Sequence, residues 1–491
     1  MDQLKAPEHH DLETEPETSS RPPSHADVLR EAAQSSDRQA GINRVRALTE
    51  QLLTSMGTGL NLTQSDLSGL DLSGMDLRHA VLNRASLFGT RLVGANLRGA
   101  ALVCAGIERT DFTDAVLAGA YVHSLAAQAS TFVRADLSGL VDATGALFHG
   151  CNLTDANLAG AEIAGTSFYQ CSFAGADLTG ADLHGSLFNE SRLDRANLSR
   201  ANLSGTTFLR SGMTGLVLKG ARGSDASIQR PTTADGMALS SANLAGLKLV
   251  QVRAERLDAR DLHAPGIDVG GSDLPGADFT GADLTDGRWI DSSLARATFD
   301  EAALGGSTWT RVSAVEATLR SVRAEAMTCT ECSFAEAILT GFAGRYATFR
   351  GCDLRNVDLS GAYLYRAVIV GDPPPSARLT GATLDGANLT QAYLAADLTG
   401  ASIRHAWATY ARINQSVLAD ADLQGTSLFR ASAVKTDFTG SRLGGQRGLL
   451  FADRCAGLAT ALGDADPGAK SIGELVDDLT SLLARDTGKS T

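Results

Sequence analysis

From Leu62 onward an apolar residue recurs at every fifth position, through Leu67, Leu72, Leu77 and Leu82 as far as Leu137. The residue two before it is usually small, the one just before is often Asp or Asn, and the one two after is often Gly, as in ADLTGADLHG and ANLSRANLSG. An amphipathic helix repeats every ~3.6 residues and a strand every ~2. A strict period of five fits neither, so the repeat is itself the structural unit. The pattern runs in four phases, Leu62 to Leu137, Phe148 to Ile228, Leu239 to Leu394 and Leu398 to Leu443, with 75 central slots in all. The first two phase changes each add one residue, within 139–147 and 229–238, and the third removes one at Ala395-Ala396. GDPPPS (371–376) keeps the register but puts Pro374 in a central slot, so it reads as a loop.

A longer period is set by the rings. Phe148, Phe168, Phe188 and Phe208 are 20 apart, as are Phe112 and Phe132, Phe279 and Phe299, and Trp289 and Trp309. Like residues fall in register if one coil has four five-residue sides, and aligned rings then share a packing layer. Where the central slot is small, the residue two earlier is often large: Leu125 with Ala127, Val252 with Ala254, Leu257 with Ala259, Leu262 with Ala264, Val322 with Ala324, Phe342 with Gly344. Both positions must therefore point inward and share one volume. Gly223, Ala408 and Ala433 lack such a partner, which predicts a void or a local bend at each.

The A(D/N)LxG unit resembles the pentapeptide-repeat family over about residues 60–445. The resemblance implies an all-β solenoid, a right-handed quadrilateral parallel β-helix. Its 75 slots at four per coil would make about 19 coils and, at about 4.8 Å per rung, a rod of about 90 Å. The β-helix is placed at 59–445. Residues 1–36 are acidic and rich in Ser and Pro, the composition of a disordered tail. A solenoid needs both ends covered. Ile42, Val45, Leu48, Leu52 and Met56 predict a capping helix over 37–58. At the other end, 446–491, FADRCAGLATALG (451–463) and SIGELVDDLTSLLARD (471–486) read as helices. Ser471 and Glu474 form a capping box there, and Ile472, Leu475, Leu479, Leu482 and Leu483 form an apolar stripe. That stripe either caps its own rod or, as the resemblance implies for some relatives, joins two rods into a homodimer.

Composition narrows the function. Hydrophobic residues make up 43%, too many for a disordered chain, and no 18-residue apolar run offers a membrane span. The acidic start lacks the basic and apolar regions of a secretion signal, which points to a bacterial cytoplasm. The net charge of −13 argues against direct binding of nucleic acid or anionic membrane. The seven cysteines are odd in number and dispersed, and the 20-spaced pairs Cys151/Cys171 and Cys332/Cys352 would place Cβ atoms near 4.8 Å, wide for a disulfide. Cys329-x-x-Cys332 puts both thiols inside on different walls, a structural rather than a metal pair. GDADPGAKS (463–471) is one residue off a phosphate-binding loop and follows no strand. The histidines outside the tail, His79, His123, His149, His184, His263 and His405, have no ligand spacing. Outward aspartates such as Asp66, Asp71, Asp76, Asp177, Asp182, Asp278 and Asp283 suit turns. The sequons at Asn61, Asn152 and Asn388 are by-products of the repeat. No catalytic, cofactor or metal site is predicted.

A non-enzymatic protein-binding rod or scaffold is therefore expected, its partner unidentified. The resemblance supplies an alternative: some relatives mimic DNA, bind DNA gyrase or topoisomerase, and protect against quinolones or gyrase-directed toxins. A secreted effector or secretion-apparatus component is a further alternative. Residues 1–58 carry net −4 and 446–491 net −2, which leaves −7 for the rod, whereas duplex DNA of about 90 Å carries about 50 charges. The charge makes a poor mimic. If the terminal stripe joins two rods, full-length protein is a dimer by light scattering and Leu479→Glu with Leu482→Glu yields soluble monomers. A monomeric full-length chain assigns the stripe to capping, and a dimer indifferent to that double substitution places the interface elsewhere.

Overall fold

A computed structural model describes residues 59–444 and 450–463. In it the chain is a parallel β-solenoid. The residue before each central slot bridges to its equivalent 20 positions on: Asp66 to Ser86, Asp71 to Arg91, Asp76 to Asn96, Val81 to Ala101. Four five-residue sides thus close one coil. Central and small residues are buried together, and the turn residues between them face outward.

On one wall the bridges widen into three-residue strands within a 16-stranded sheet that begins at Gly106–Glu108 and reaches Tyr393–Asp397. Its register pairs like with like: Phe148 with Phe168, Phe168 with Phe188, Phe188 with Phe208, Trp289 with Trp309. The rings follow the backbone. Centroids in the phenylalanine column are 5.1, 4.8 and 5.1 Å apart with planes within 28°. Phe112 and Phe132 stack at 4.9 Å, Phe279 and Phe299 at 4.8 Å, while Trp289 and Trp309 tilt by 39° at 5.5 Å.

The phase changes have distinct structural forms. Each added residue lengthens one coil to 21, so that Ala126 pairs with Leu147 and Ser227 with Lys248. At 371–376 the rung spacing becomes 25, from Val368 to Tyr393. The surplus five residues are extruded, and Pro374 is exposed rather than occupying a core slot. At Ala395-Ala396 the five-residue strand Tyr393–Asp397 runs straight through a corner, which removes one residue from the coil.

The small slots are filled from two positions earlier. Leu125, Val252, Leu257, Leu262, Val322 and Phe342 are all buried, and a Cβ on Gly344 would collide with the Phe342 ring. The three unpartnered slots differ. At Gly223, with φ 144°, the backbone packs closely on the preceding rung, so that a Cβ would meet the backbone of Leu203 and Ser204. Ala408 borders an apolar cavity of about 10 Å³ among Leu389, Leu394, Ile403 and Ile413. Ala433 lies in Ala431–Val434, a wider strand paired with Leu450–Asp453.

That last pairing corrects the helix expected over 451–463. Leu450–Asp453 adds a parallel rung to the solenoid, and only Leu458–Gly463 is helical. An unpaired edge satisfies a whole segment's backbone groups at once, whereas a helix of two or three turns is marginal alone. Leu458 and Ala461 then bury against the last coil. The tail at 1–36, the helix expected over 37–58, the 464–471 loop and the stripe from Ile472 to Leu483 lie outside the described residues.

Phe188 is fully buried between Phe168 and Phe208, with Phe173 edge-on at 5.3 Å. Phe188→Ala should cost about 3–5 kcal/mol, because the cavity lies inside a stacked column that cannot collapse. The outward Asp182→Ala should cost less than about 1 kcal/mol. Denaturant midpoints test this, and equal losses would contradict the inward and outward assignments.

Candidate interaction surface

The five-residue side leaves three outward positions, the residue before the central slot and the two after it, and two of them shape the turn. The first precedes the central slot and is often Asp or Asn. Its side-chain oxygen accepts the backbone N–H two residues on: Asp177 from Thr179 at 3.0 Å, Asp278 from Thr280 at 2.9 Å, Asn152 from Thr154 at 3.1 Å. The abundant carboxylates thus hold turns. The second position turns the corner with positive φ. Glycine suits it, and on one wall Gly165, Gly185, Gly205, Gly246, Gly266 and Gly306 occupy it.

On that same wall the corner changes character toward the C-terminal end. Tyr346, Arg366, Gln391, Tyr410 and Arg430 take the corner on five consecutive rungs, all with φ between 55 and 60°. Left-handed backbone disfavours a side chain by about 1–2 kcal/mol relative to glycine. These positions therefore carry side chains where glycine would fold more easily. Around them stand Arg345, Tyr363, Tyr365, Trp407 and Phe429, and among the described residues the indole of Trp407 is the most exposed large apolar group, at 64%.

The arginines are packed against the rings. The Arg345 guanidinium lies 4.7 Å from the Tyr346 ring centre and donates to its hydroxyl at 3.0 Å. Arg366 lies 5.3 Å from Tyr365. Arg430 lies 5.4 Å from Phe429 and donates to the Tyr410 hydroxyl at 3.0 Å. Hydrogen bonding from Arg345 holds the Tyr346 phenol below its ordinary pKa. Elsewhere arginines pair with carboxylates: Arg78 with Asp76 and Arg355 with Asp353 at 2.7 Å, Arg311 with Asp291 and Arg404 with Asp422 at 2.6 Å. The Arg78 and Arg355 guanidiniums hold their aspartates below the usual carboxylate range. These pairs break up the acidic rows, so Asp76 and its counterparts form no unbroken anionic stripe.

The columns Phe148, Phe168, Phe188 and Phe208, Phe112 and Phe132, and Trp289 and Trp309 are internal and contribute no surface. No metal-holding cluster of His, Cys, Asp or Glu occurs among the described residues. His123, His184 and His263 each face one aspartate, at 3.2, 3.1 and 3.0 Å, on separate rungs. Cys151, Cys171, Cys329, Cys332 and Cys352 are buried free thiols, and burial pushes the Cys329 thiol well above its ordinary value. The aromatic–arginine surface escaped the periodicity reading, which treated outward positions as turns. A signal was present: five of the seven tyrosines, Tyr346, Tyr363, Tyr365, Tyr393 and Tyr410, lie within one stretch.

A four-sided coil with five-residue sides, stacked in parallel and without a catalytic cluster among the described residues, defines a β-helical repeat rod. The family model for pentapeptide repeats matches residues 58–119, 132–209, 328–369 and 376–445 in overlapping stretches, about half of the chain, and the chain belongs to that family. Most slots that interchange large and small residues, Leu125/Ala127 through Val322/Ala324, fall between the matched stretches, although the coil continues through them. Similar solved structures include QnrB1, a plasmid-mediated fluoroquinolone resistance protein, at 20% identity over 36% of this chain and 89% of that one, TM-score 0.30. Another is HetL, a pentapeptide repeat protein involved in heterocyst differentiation regulation from the cyanobacterium Nostoc sp. strain PCC 7120, at 22% identity over 63% and 93%, TM-score 0.18. No curated protein matches. No helix among the described residues is long and apolar enough to cross a membrane.

With a bulky maleimide, native protein should label at exposed Cys104 and leave Cys151, Cys171, Cys329, Cys332 and Cys352 unmodified until denaturant is added. Mass spectra read the sites directly, and a disulfide within either 20-spaced pair would contradict the free-thiol columns.

Proposed function

We propose that this protein is a non-enzymatic, cytoplasmic binding rod whose β-helix presents one interaction surface to a protein partner. The observation that carries this reading is the cluster of Tyr346, Tyr363, Trp407, Tyr410 and Phe429 with Arg345, Arg366 and Arg430. Tyr, Trp and Arg are the side chains that dominate binding energy at protein interfaces, because they bring large area and few rotatable bonds. Non-glycine corners occur along the whole rod, for example Gln170, Glu190, Arg210, Arg230 and Gln251 on another wall, and what sets this patch apart is that Tyr346 and Tyr410 place rings there.

The DNA-mimicking gyrase or topoisomerase binder is the second reading. It would need a continuous anionic wall, and the Arg–Asp pairs at Arg78, Arg260, Arg355 and Arg404 interrupt the acidic rows. We therefore rank it below a partner for the aromatic surface.

Photoreactive benzoylphenylalanine replacing Tyr363 should capture a discrete partner in host extract, while the same group replacing Glu336, on another wall, should not. Tyr346→Gly with Tyr410→Gly should abolish capture yet lower stability by no more than about 1 kcal/mol, since glycine accepts the corner geometry. Equal capture at both sites would sink the reading. Inhibition of purified DNA gyrase that survives the glycine pair would favour the second one.

A further inference from the structure

The chemistry of the surface identifies the kind of partner it fits. The rod is acidic as a whole, yet on this wall the outward residues from Ala343 to Arg430 include no carboxylate. Arg366, Arg412 and Arg430 have no carboxylate in ion-pair range among the described residues, and Arg345 has only Glu325, at 3.8 Å. A local cationic patch on an anionic molecule is a charge distribution that selects an anionic partner and repels a second copy of the rod elsewhere along its length.

The shape agrees with an extended chain. Arg366, Gln391, Tyr393, Tyr410, Arg412 and Arg430 line an open groove of about 640 Å³. Five rungs at about 4.8 Å each give the patch a length of about 19 Å along the rod, the span of about six residues of extended peptide. Alternate side chains of such a peptide point to opposite sides, so a peptide lying edge-on along the wall can direct its carboxylates toward the corner arginines and the intervening side chains toward the rings on the same wall. Because Arg345, Arg366 and Arg430 already lie over rings, their rotamers are largely fixed before binding, and that order need not be lost again on association. Their guanidinium edges remain able to grip carboxylates in paired hydrogen bonds.

We propose that this wall binds an extended acidic segment of a partner protein, laid parallel to the rod axis, with Arg345, Arg366, Arg412 and Arg430 taking its carboxylates and Trp407, Tyr363 and Phe429 its alternate apolar side chains. The proposal rests on the protein-binding reading and adds the partner's charge and conformation. Polyphosphate is the less favoured anion, because the net charge of −13 opposes a highly charged strand over longer range than the patch can compensate.

The probe is a fluorescein-labelled peptide of alternating Glu and Tyr, titrated with the full-length chain and read by anisotropy. Saturable binding is expected, lost when Gln replaces Glu and weakened as salt rises. Arg366→Glu with Arg430→Glu should raise Kd by at least about tenfold. Arg98→Glu with Arg200→Glu, on another wall, should leave it unchanged, and circular dichroism should show both double variants folded. Absence of saturable binding, equal effects of the two double variants, or tighter binding of single-stranded oligonucleotide or of anionic vesicles would overturn the proposal. Selective capture at Tyr363 without peptide binding would refute the acidic chemistry alone, whereas loss of both would refute the protein-binding surface itself.

Discussion

Everything in this molecule depends on the vertical register between coils. Each side hydrogen-bonds to the side above it, as Leu67 N–H does to the Ser86 carbonyl at 2.9 Å and Leu92 N–H to the Asp111 carbonyl at 2.7 Å. Parallel pairing of such short segments is weak per residue, and no side could hold its shape alone. The register therefore has to be fixed by what lies inside. Leucine on leucine and ring on ring fill the interior in layers, and a slip by one residue would put a polar turn residue in place of every core side chain. The solenoid tolerates extra residues only where they leave that register intact, as the extruded 371–376 loop does.

The same constraint frees the outside. Because backbone pairing and core packing satisfy two of the five residues, the others answer only to turn geometry. Asp and Asn close the turns through their side-chain oxygens, and glycine relaxes the corners. Some arginines, such as Arg78, Arg311 and Arg355, settle on nearby aspartates, which gives little stability at exposed positions but lowers the local negative charge. Between Tyr346 and Arg430 one wall departs from this economy: rings are exposed there and guanidiniums lie over rings instead of carboxylates. Such a departure is the kind of local inconsistency that binding, rather than folding, explains.

The thiols and histidines show the converse. Cys329 and Cys332 have the spacing of a metal or redox pair and lie together with Cys352 in the interior, yet no metal-holding cluster forms among the described residues, and His184 and His263 approach their carboxylates on separate rungs. A sequence motif becomes a site only when the fold converges its members, and a solenoid disperses them along its axis.

By itself the sequence determined the coil: its period of five, its four sides, the columns of Phe148 to Phe208 and the exchange of volume at Phe342 and Gly344. Those features were legible because every rung repeats the same local rule, so neighbours in space are separated by a constant number of residues. The chain end was less legible, since Leu450–Asp453 joined the last rung only because an open edge was there to receive it. The fate of the unpartnered slots also needed the tertiary structure, which packed the backbone of Gly223 against the preceding rung and left a cavity at Ala408. So did the binding surface. Tyr346, Arg366, Gln391, Tyr410 and Arg430 are separated by 20, 25, 19 and 20 residues, and only the stacked coils, with their loop and their shortened turn, bring them to one corner.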